Sequence, residues 1–328
     1  MGILTGQGTA FQIGKETTWG AAVAPTQAIN FLNESLKLAV ERKEEDTLVG
    51  SKTSRAMDIM KRSVAGDFGL IMKPGNVGLL FALSLGEEAD PVEDPEKTGV
   101  FEHRFSPVSS GLLYSLPSFT AVIDRHTAVK KYTGLKVESL KIEAKAGDYL
   151  RASLSVKGKD EESGTKNSAL SVPDTKAYRF AGGVCEFNSA AIGSVKSVSL
   201  DYVNTLDEGE QTISSGLNGT EPEPQDRKIT VTVETDYDAT AEGIRESDYK
   251  TDTTVDIRLR FESPTEIVTG TKHAFEILLP HVAITDCSPN VSGKEKLKLT
   301  ITGTALETTS DEAVEIVLFD GQGTAYLG

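Results

Sequence analysis

The side chains best suited to chemistry in this 328-residue chain are four histidines and two cysteines, and their spacing assembles no centre. His103, His126, His273 and His281 are scattered, with no H-E-x-x-H pair and no cysteine partner, so no zinc site is outlined. Cys185 and Cys287 lie too far apart in sequence for a redox or metal motif and are too few for a disulfide framework. Both read as small, buried, apolar side chains. No G-x-S-x-G turn is present to expose a nucleophilic serine. Gly6-x-Gly8 and Gly321-x-Gly323 begin like a phosphate-cradling loop, but Phe11 and Tyr326 stand where the third glycine belongs. Both pairs sit in the pentapeptide GQGTA, which occurs near each end of the chain. The acidic runs Glu44-Glu45-Asp46 and Asp207-Glu208 lack calcium-loop spacing. The expectation is a non-enzyme with no catalytic residue, no metal and no cofactor.

Composition narrows the class. With 38% hydrophobic and 25% charged residues the chain is a folded globular protein. Its 34 Lys and Arg against 49 Asp and Glu give −15, almost all of it in residues 166–328. Such a surface is a poor non-specific ligand for nucleic acid, whose counterions are normally replaced by Lys and Arg. The N-terminus lacks the layout of a signal peptide. The longest helix-like apolar run, Val77 to Leu85, is too short to cross a bilayer. These features predict a chain made and kept in a cytoplasm, with no membrane insertion.

The elements that would position any site are mostly strands. The clearest lie between Tyr132 and Asp160, where Leu140, Ile142 and Ala144 alternate with Lys141, Glu143 and Lys145. After Ala146-Gly147-Asp148 the alternation resumes with Leu150, Ala152, Leu154 and Val156. Period two about a glycine turn predicts a half-buried antiparallel hairpin with one polar face. Further strands are expected at 36–40, 64–72, 100–106, 118–124, 195–203, 229–233, 255–261, 274–279 and 313–319. A second hairpin is expected over 281–286 and 295–302. Asn76 is placed to cap a short helix, Val77–Leu85, that stops at Gly86, and a second helix is expected over Ala239–Asp248. Glu41–Arg62 and Asn204–Arg227 read as long loops of the kind that bind partners. The fold class is therefore all-β with short helices.

Strand, long loop, strand, short helix, strands and terminal hairpin occur twice in the same order, with Gly158 aligned on Gly303. We expect an N-terminal arm at 1–30, a first β domain at 31–165, a polar linker at 166–176 and a second β domain at 177–328. The arm carries Phe11, Ile13 and Trp19 as isolated apolar anchors that would dock elsewhere, the alternative being that it covers its own domain. Among outward positions of alternating strands, Glu143, Glu234, Asp236 and Asp256 are candidate acids, with Asp67 on a less regular strand. Lys141, Lys145, Arg258 and Arg260 share those faces.

Two stretches, TAFQIGKETTWGAAVAPTQAINF at 9–31 and GLKVESLKIEAKAGDYLRASLSVKGKD at 134–160, resemble the tail tube (major tail) proteins of long-tailed bacteriophages. The resemblance implies tube-type β-sandwich or barrel domains with long hairpins. It implies six-fold rings stacked into a hollow tube for DNA, in a virion tail assembled in the host cytoplasm. A duplicated chain would form such a ring as a trimer, since closure needs equivalent faces rather than identical chains. The candidate acids Glu143, Glu234, Asp236 and Asp256 would then face the lumen. Implied partners are further copies of the chain, the tape-measure protein, tail terminator and tail-tip proteins, and DNA in transit without specific binding. A two-domain β-sandwich adhesin or carbohydrate-binding module is the alternative, and it would need an aromatic platform that 6% aromatics and a single Trp supply poorly.

Overall fold

The computed structural model describes residues 5–48, 52–54, 56–108, 115–251, 253–290 and 296–328. The first part of the chain forms β1 (Ala10–Lys15), β2 (Gln27–Ile29), β3 (Phe31–Glu34), β4 (Lys37–Glu44) and β5 (Met57–Ile71), then helix α1 (Gly78–Leu85). Next come β6 (Gly86–Glu88), β7 (Val92–Glu93), β8 (Phe101–Pro107), β9 (Phe119–Asp124), β10 (Val129–Lys145), β11 (Arg151–Gly158) and β12 (Asp160–Ser163). The later part forms β13 (Val184–Phe187), β14 (Ala190–Ala191), β15 (Val195–Leu206) and β16 (Pro224–Asp236), then helix α2 (Ala239–Ile244) with a π-turn over Arg245–Tyr249. It ends with β17 (Val255–Val268), β18 (Thr271–Asn290), β19 (Lys298–Ala305) and β20 (Glu315–Asp320). The all-β expectation holds, with short helices.

The ladders repeat. β1 pairs β2 and β9, as β13 pairs β14 and β17. β5 pairs β4 and β11, as β16 pairs β15 and β19. β10 pairs β9, β11 and β12, as β18 pairs β17, β19 and β20. Even a defect recurs: the β10–β11 ladder slips between Val137 and Ser139, and the β18–β19 ladder slips between Ile284 and Asp286. A bulge inserts one residue and bends its strand, here where β10 and β18 pass from an outer sheet into the central one. The matched bulges set Val156 opposite Gly303 in the duplication, two residues from the alignment expected on Gly158 and Gly303. A slip of two leaves every side chain on its own face, so alternation could not detect it.

The central sheet runs β4–β5–β11–β10–β15–β16–β19–β18, with β10 to β15 joining the two repeats. The repeats also share an outer sheet, because β8 of the first pairs β20 of the second. Among the described residues the far sides of β4 and of the second half of β18 carry no ladder, so the sheet does not close within one chain. Phe11, Phe68, Tyr132, Leu140, Leu154, Phe81 and Phe275 belong to the apolar core beneath it.

Helix α1 is buried along its whole length and ends at Gly86, whose φ of 96° is the left-handed turn that favours glycine. Asn76 does not cap it. Its side chain accepts from Lys73 N–H at 3.1 Å and donates to Asn30, and Val77 holds the N-cap position. α2 is capped by Asp238, which accepts from Ala241 N–H at 2.9 Å. Strands enter both ends of the two expected long loops, since β4 extends to Glu44 and β5 starts at Met57, while β15 extends to Leu206 and β16 starts at Pro224; the described residues between them remain loop. Residues 49–51 and 55 of the first loop lie outside the described residues, as does Glu295, the expected start of the last hairpin strand.

The expected arm is built into the body. β1 lies between β2 and β9, and Phe11 and Ile13 are 1% and 0% exposed. Phe11 meets Phe68 edge-on at 4.9 Å. A side chain so placed reaches no neighbour without unfolding its strand, which favours the alternative that this segment covers its own domain.

Candidate functional site

Because side chains alternate across a strand, every core residue of the central sheet is flanked by residues on its opposite, polar face. The ladders order that face into rows. One row runs Arg151, Glu143, Ser199, Thr232, Thr302 and Asp286. A second runs Ser153, Lys141, Asp201, Thr230 and Thr304. A third runs Lys145, Ser197, Glu234, Thr300 and Ser288. The surface is a carpet of short hydroxyl side chains set with charges of both signs.

Three of the four candidate acids meet there, each with a lysine. Glu143 pairs with Lys141 at 3.1 Å, and the same ammonium lies 3.8 Å from Asp201. Glu234 pairs with Lys298 at 2.6 Å and Asp236 with Lys196 at 2.9 Å. The bond to Glu143, with the charge of Asp201, raises the Lys141 pKa and keeps its positive charge. Asp67 also reaches this face and accepts from Ser155 Oγ. Local compensation replaces the uniformly acidic wall that the four acids alone would suggest. Lys196 and Lys298 were not singled out in the sequence, because cross-strand partners follow from register.

Asp256 is elsewhere. It lies on β17 in an outer sheet, where its N–H donates to Asn188 Oδ1 at 3.0 Å. Burial and then the charge of Glu186 raise its pKa. Arg258 and Arg260, expected on the face of the acids, are also on β17 and converge on Glu276, at 2.9 and 2.5 Å. Burial opposes the charged form of Glu276, but the two guanidinium groups outweigh it and lower its pKa.

Trp19 is tethered to its own chain. Its indole N–H donates to Gly134 O at 2.9 Å, and the Lys159 ammonium sits 4.8 Å from the ring centre. Beneath it the buried Glu16 carboxylate accepts from Gly20 N–H, Ser118 Oγ, Thr120 Oγ1 and Gly134 N–H.

The histidines do different work. His103 is fully buried, with Nδ1 3.0 Å from Glu88, and Nε2 2.8 Å from Gln322 O and 3.3 Å from Asp320. His126 Nε2 lies 2.8 Å from Gln7 O. The glutamine of each GQGTA pentapeptide, its second residue, thus presents its backbone carbonyl to a histidine. His281 bonds Asp311 at 3.1 Å, and burial lowers the pKa of His273. Burial also pushes the thiols of Cys185 and Cys287 up, to about 12 and about 11.

At one end of the sheet the two long hairpins meet. Arg62 N–H donates to Leu217 O at 2.7 Å, Gln211 Nε2 to Met60 O at 2.7 Å, and Lys61 Nζ to Glu208 O at 2.9 Å. Met57, Met60, Ile213 and Leu217 are exposed there.

A family model described as phage tail tube protein matches residues 6–305. The chain belongs to the phage tail tube protein family. No curated protein matches it significantly. As a tail tube protein it is a structural component of the bacteriophage virion tail, and self-assembly into a tube is the property its family carries.

Proposed function

We propose that this chain forms stacked rings that make a hollow tube, with the polar face of the central sheet lining the lumen through which DNA passes. The observation that carries the reading is the eight-stranded central sheet with a repeat on each side of its middle and, among the described residues, both edges open. Open edges are a liability in a monomer and are consumed when sheets join around a ring. Two repeats per chain, divided near 166–176, make a trimer the natural ring, pseudo-hexameric in shape. A ring of six chains is the competing stoichiometry.

The end where the β4–β5 and β15–β16 hairpins pack together would meet the next ring through Met57, Met60, Ile213 and Leu217. Partners would be further copies of the chain, the tape-measure protein, and terminator and tip proteins, with assembly in the host cytoplasm. The role is architectural, with no catalytic step. Electron microscopy of the purified protein, alone and with a tail-initiation complex or tape-measure protein, tests the reading. Rings or tubes are expected. Failure to form either under every such condition would overturn it.

A further inference from the structure

The joint between the two repeats provides a template for the joint between two chains. Within the chain, β10 meets β15 over the ladder Ser139–Val203, Leu140–Tyr202, Lys141–Asp201 and Ile142–Leu200. The recurring bulge makes Leu140 equivalent to Cys287, since they face Leu154 and Ile301 at matching positions. The ladders of β5 and β16 make Tyr202 equivalent to Leu38, which faces Val64 as Tyr202 faces Ile229. Among the described residues, β18 therefore has the counterpart of the β10 edge, unoccupied, and β4 has the counterpart of the β15 edge, also unoccupied.

We propose that the free edge of β18 pairs antiparallel with β4 of a second copy in the register that joins β10 to β15. The proposal rests on the tube reading above and adds to it which edges meet and which residues face each other. Asp286 falls opposite Ala39, Cys287 opposite Leu38, Ser288 opposite Lys37 and Pro289 opposite Leu36.

The chemistry of the two edges fits that register. Asp286 and Lys37 are exposed, of opposite charge, and diagonal across the seam, within reach of each other. Leu38 and Ile284 are only partly buried although packed against the core, as apolar groups at an incomplete edge would be. Pro289 has no N–H to offer. The Leu36 carbonyl opposite it already accepts from Arg125 Nη2 at 3.0 Å and from Tyr132 Oη at 3.2 Å. The rung that lacks a donor meets an acceptor that is already served.

The native thiol of Cys287 makes the register directly testable. Facing residues of an antiparallel pair have Cα atoms about 4.5 or 5.5 Å apart, within the span of a disulfide. In tubes or rings of Leu38→Cys, mild copper-catalysed air oxidation should join the introduced thiol to Cys287 of the neighbour. Each new S–S bond passes two electrons and two protons to oxygen. Non-reducing electrophoresis should show covalent multimers that vanish in Leu38→Cys/Cys287→Ser. The pair Asp286→Cys with Ala39→Cys, in a Cys287→Ser background, repeats the test on the polar face should Leu38→Cys not fold. Assembled tubes in which both pairs stay uncrosslinked would overturn the seam and leave the tube standing. Native protein that forms no ring or tube under any condition would overturn both.

Discussion

His103 shows how much of this molecule's stability rests on single buried polar groups. Burial alone would lower its pKa, but hydrogen bonds with Asp320 and Glu88 raise it to about 9. An imidazolium held above its unfolded value of about 6.5 stabilises the fold fully below that pH and loses the contribution as pH rises through about 9. The contribution is on the order of 3 kcal/mol. The melting temperature should therefore fall between pH 6.5 and pH 9.5, and His103→Gln should melt lower and with a flatter dependence over that range. Glu88 also accepts from the N–H groups of Tyr326 and Leu327, so loss of the imidazolium leaves the C-terminal turn held by less compensated carboxylates. Glu16 is the second such group. Its four donors suit a carboxylate, and Glu16→Gln turns an NH2 toward them, so a loss of about 2 kcal/mol in a denaturant titration is expected. Neither residue was legible as structural in the sequence, because burial of a charge depends on partners more than a hundred positions away.

At the scale of elements, alternation marked the strands of the central sheet and an apolar run marked α1. The N-terminal segment was harder. Phe11 and Ile13 do alternate with Gln12, but six residues between glycine- and threonine-rich stretches are too few to separate a core strand from a sticky arm. Its place between β2 and β9 gives an expected outcome: deletion of residues 1–30 should abolish the cooperative melt. A truncated chain that still melts cooperatively would show β1 to be dispensable. Gly66 makes a second test. A Cβ there would lie 2.7 Å from Leu36 Cα and from Ser35 O, both backbone atoms, because the chain kinks onto β5 between β3 and β4. Val231 occupies the equivalent site in the second repeat. Gly66→Val should cost about 1–3 kcal/mol by overpacking, read as a lower unfolding midpoint, despite matching its own counterpart.

At the scale of the whole molecule, the charge of −15 and the polar face of the central sheet part company. The acids and Lys141 were visible in the sequence, but Lys196 and Lys298 were not, since pairing them with Asp236 and Glu234 required the register of strands distant in the chain. In the proposed tube, DNA would slide past hydroxyl groups and compensated ion pairs, with little net field to attract or repel phosphate. Lys141→Glu with Lys298→Glu removes two of those compensations. Each exposed pair contributes under about 1 kcal/mol, so folding and assembly should survive. Genome ejection from particles carrying the variant should become markedly more sensitive to ionic strength. Unchanged salt dependence in assembled particles would place the face away from the DNA path.

The joint between β10 and β15 also bears on how assembly begins. It is completed when one chain folds, so its two edges meet at the high effective concentration of a tether and need no encounter in solution. In a ring of such chains, tethered seams would alternate with seams formed by collision, and fewer bodies would have to meet before the circle closes. In the proposed tube, a chain with two such repeats would shift part of the concentration dependence of growth into the folding of the monomer.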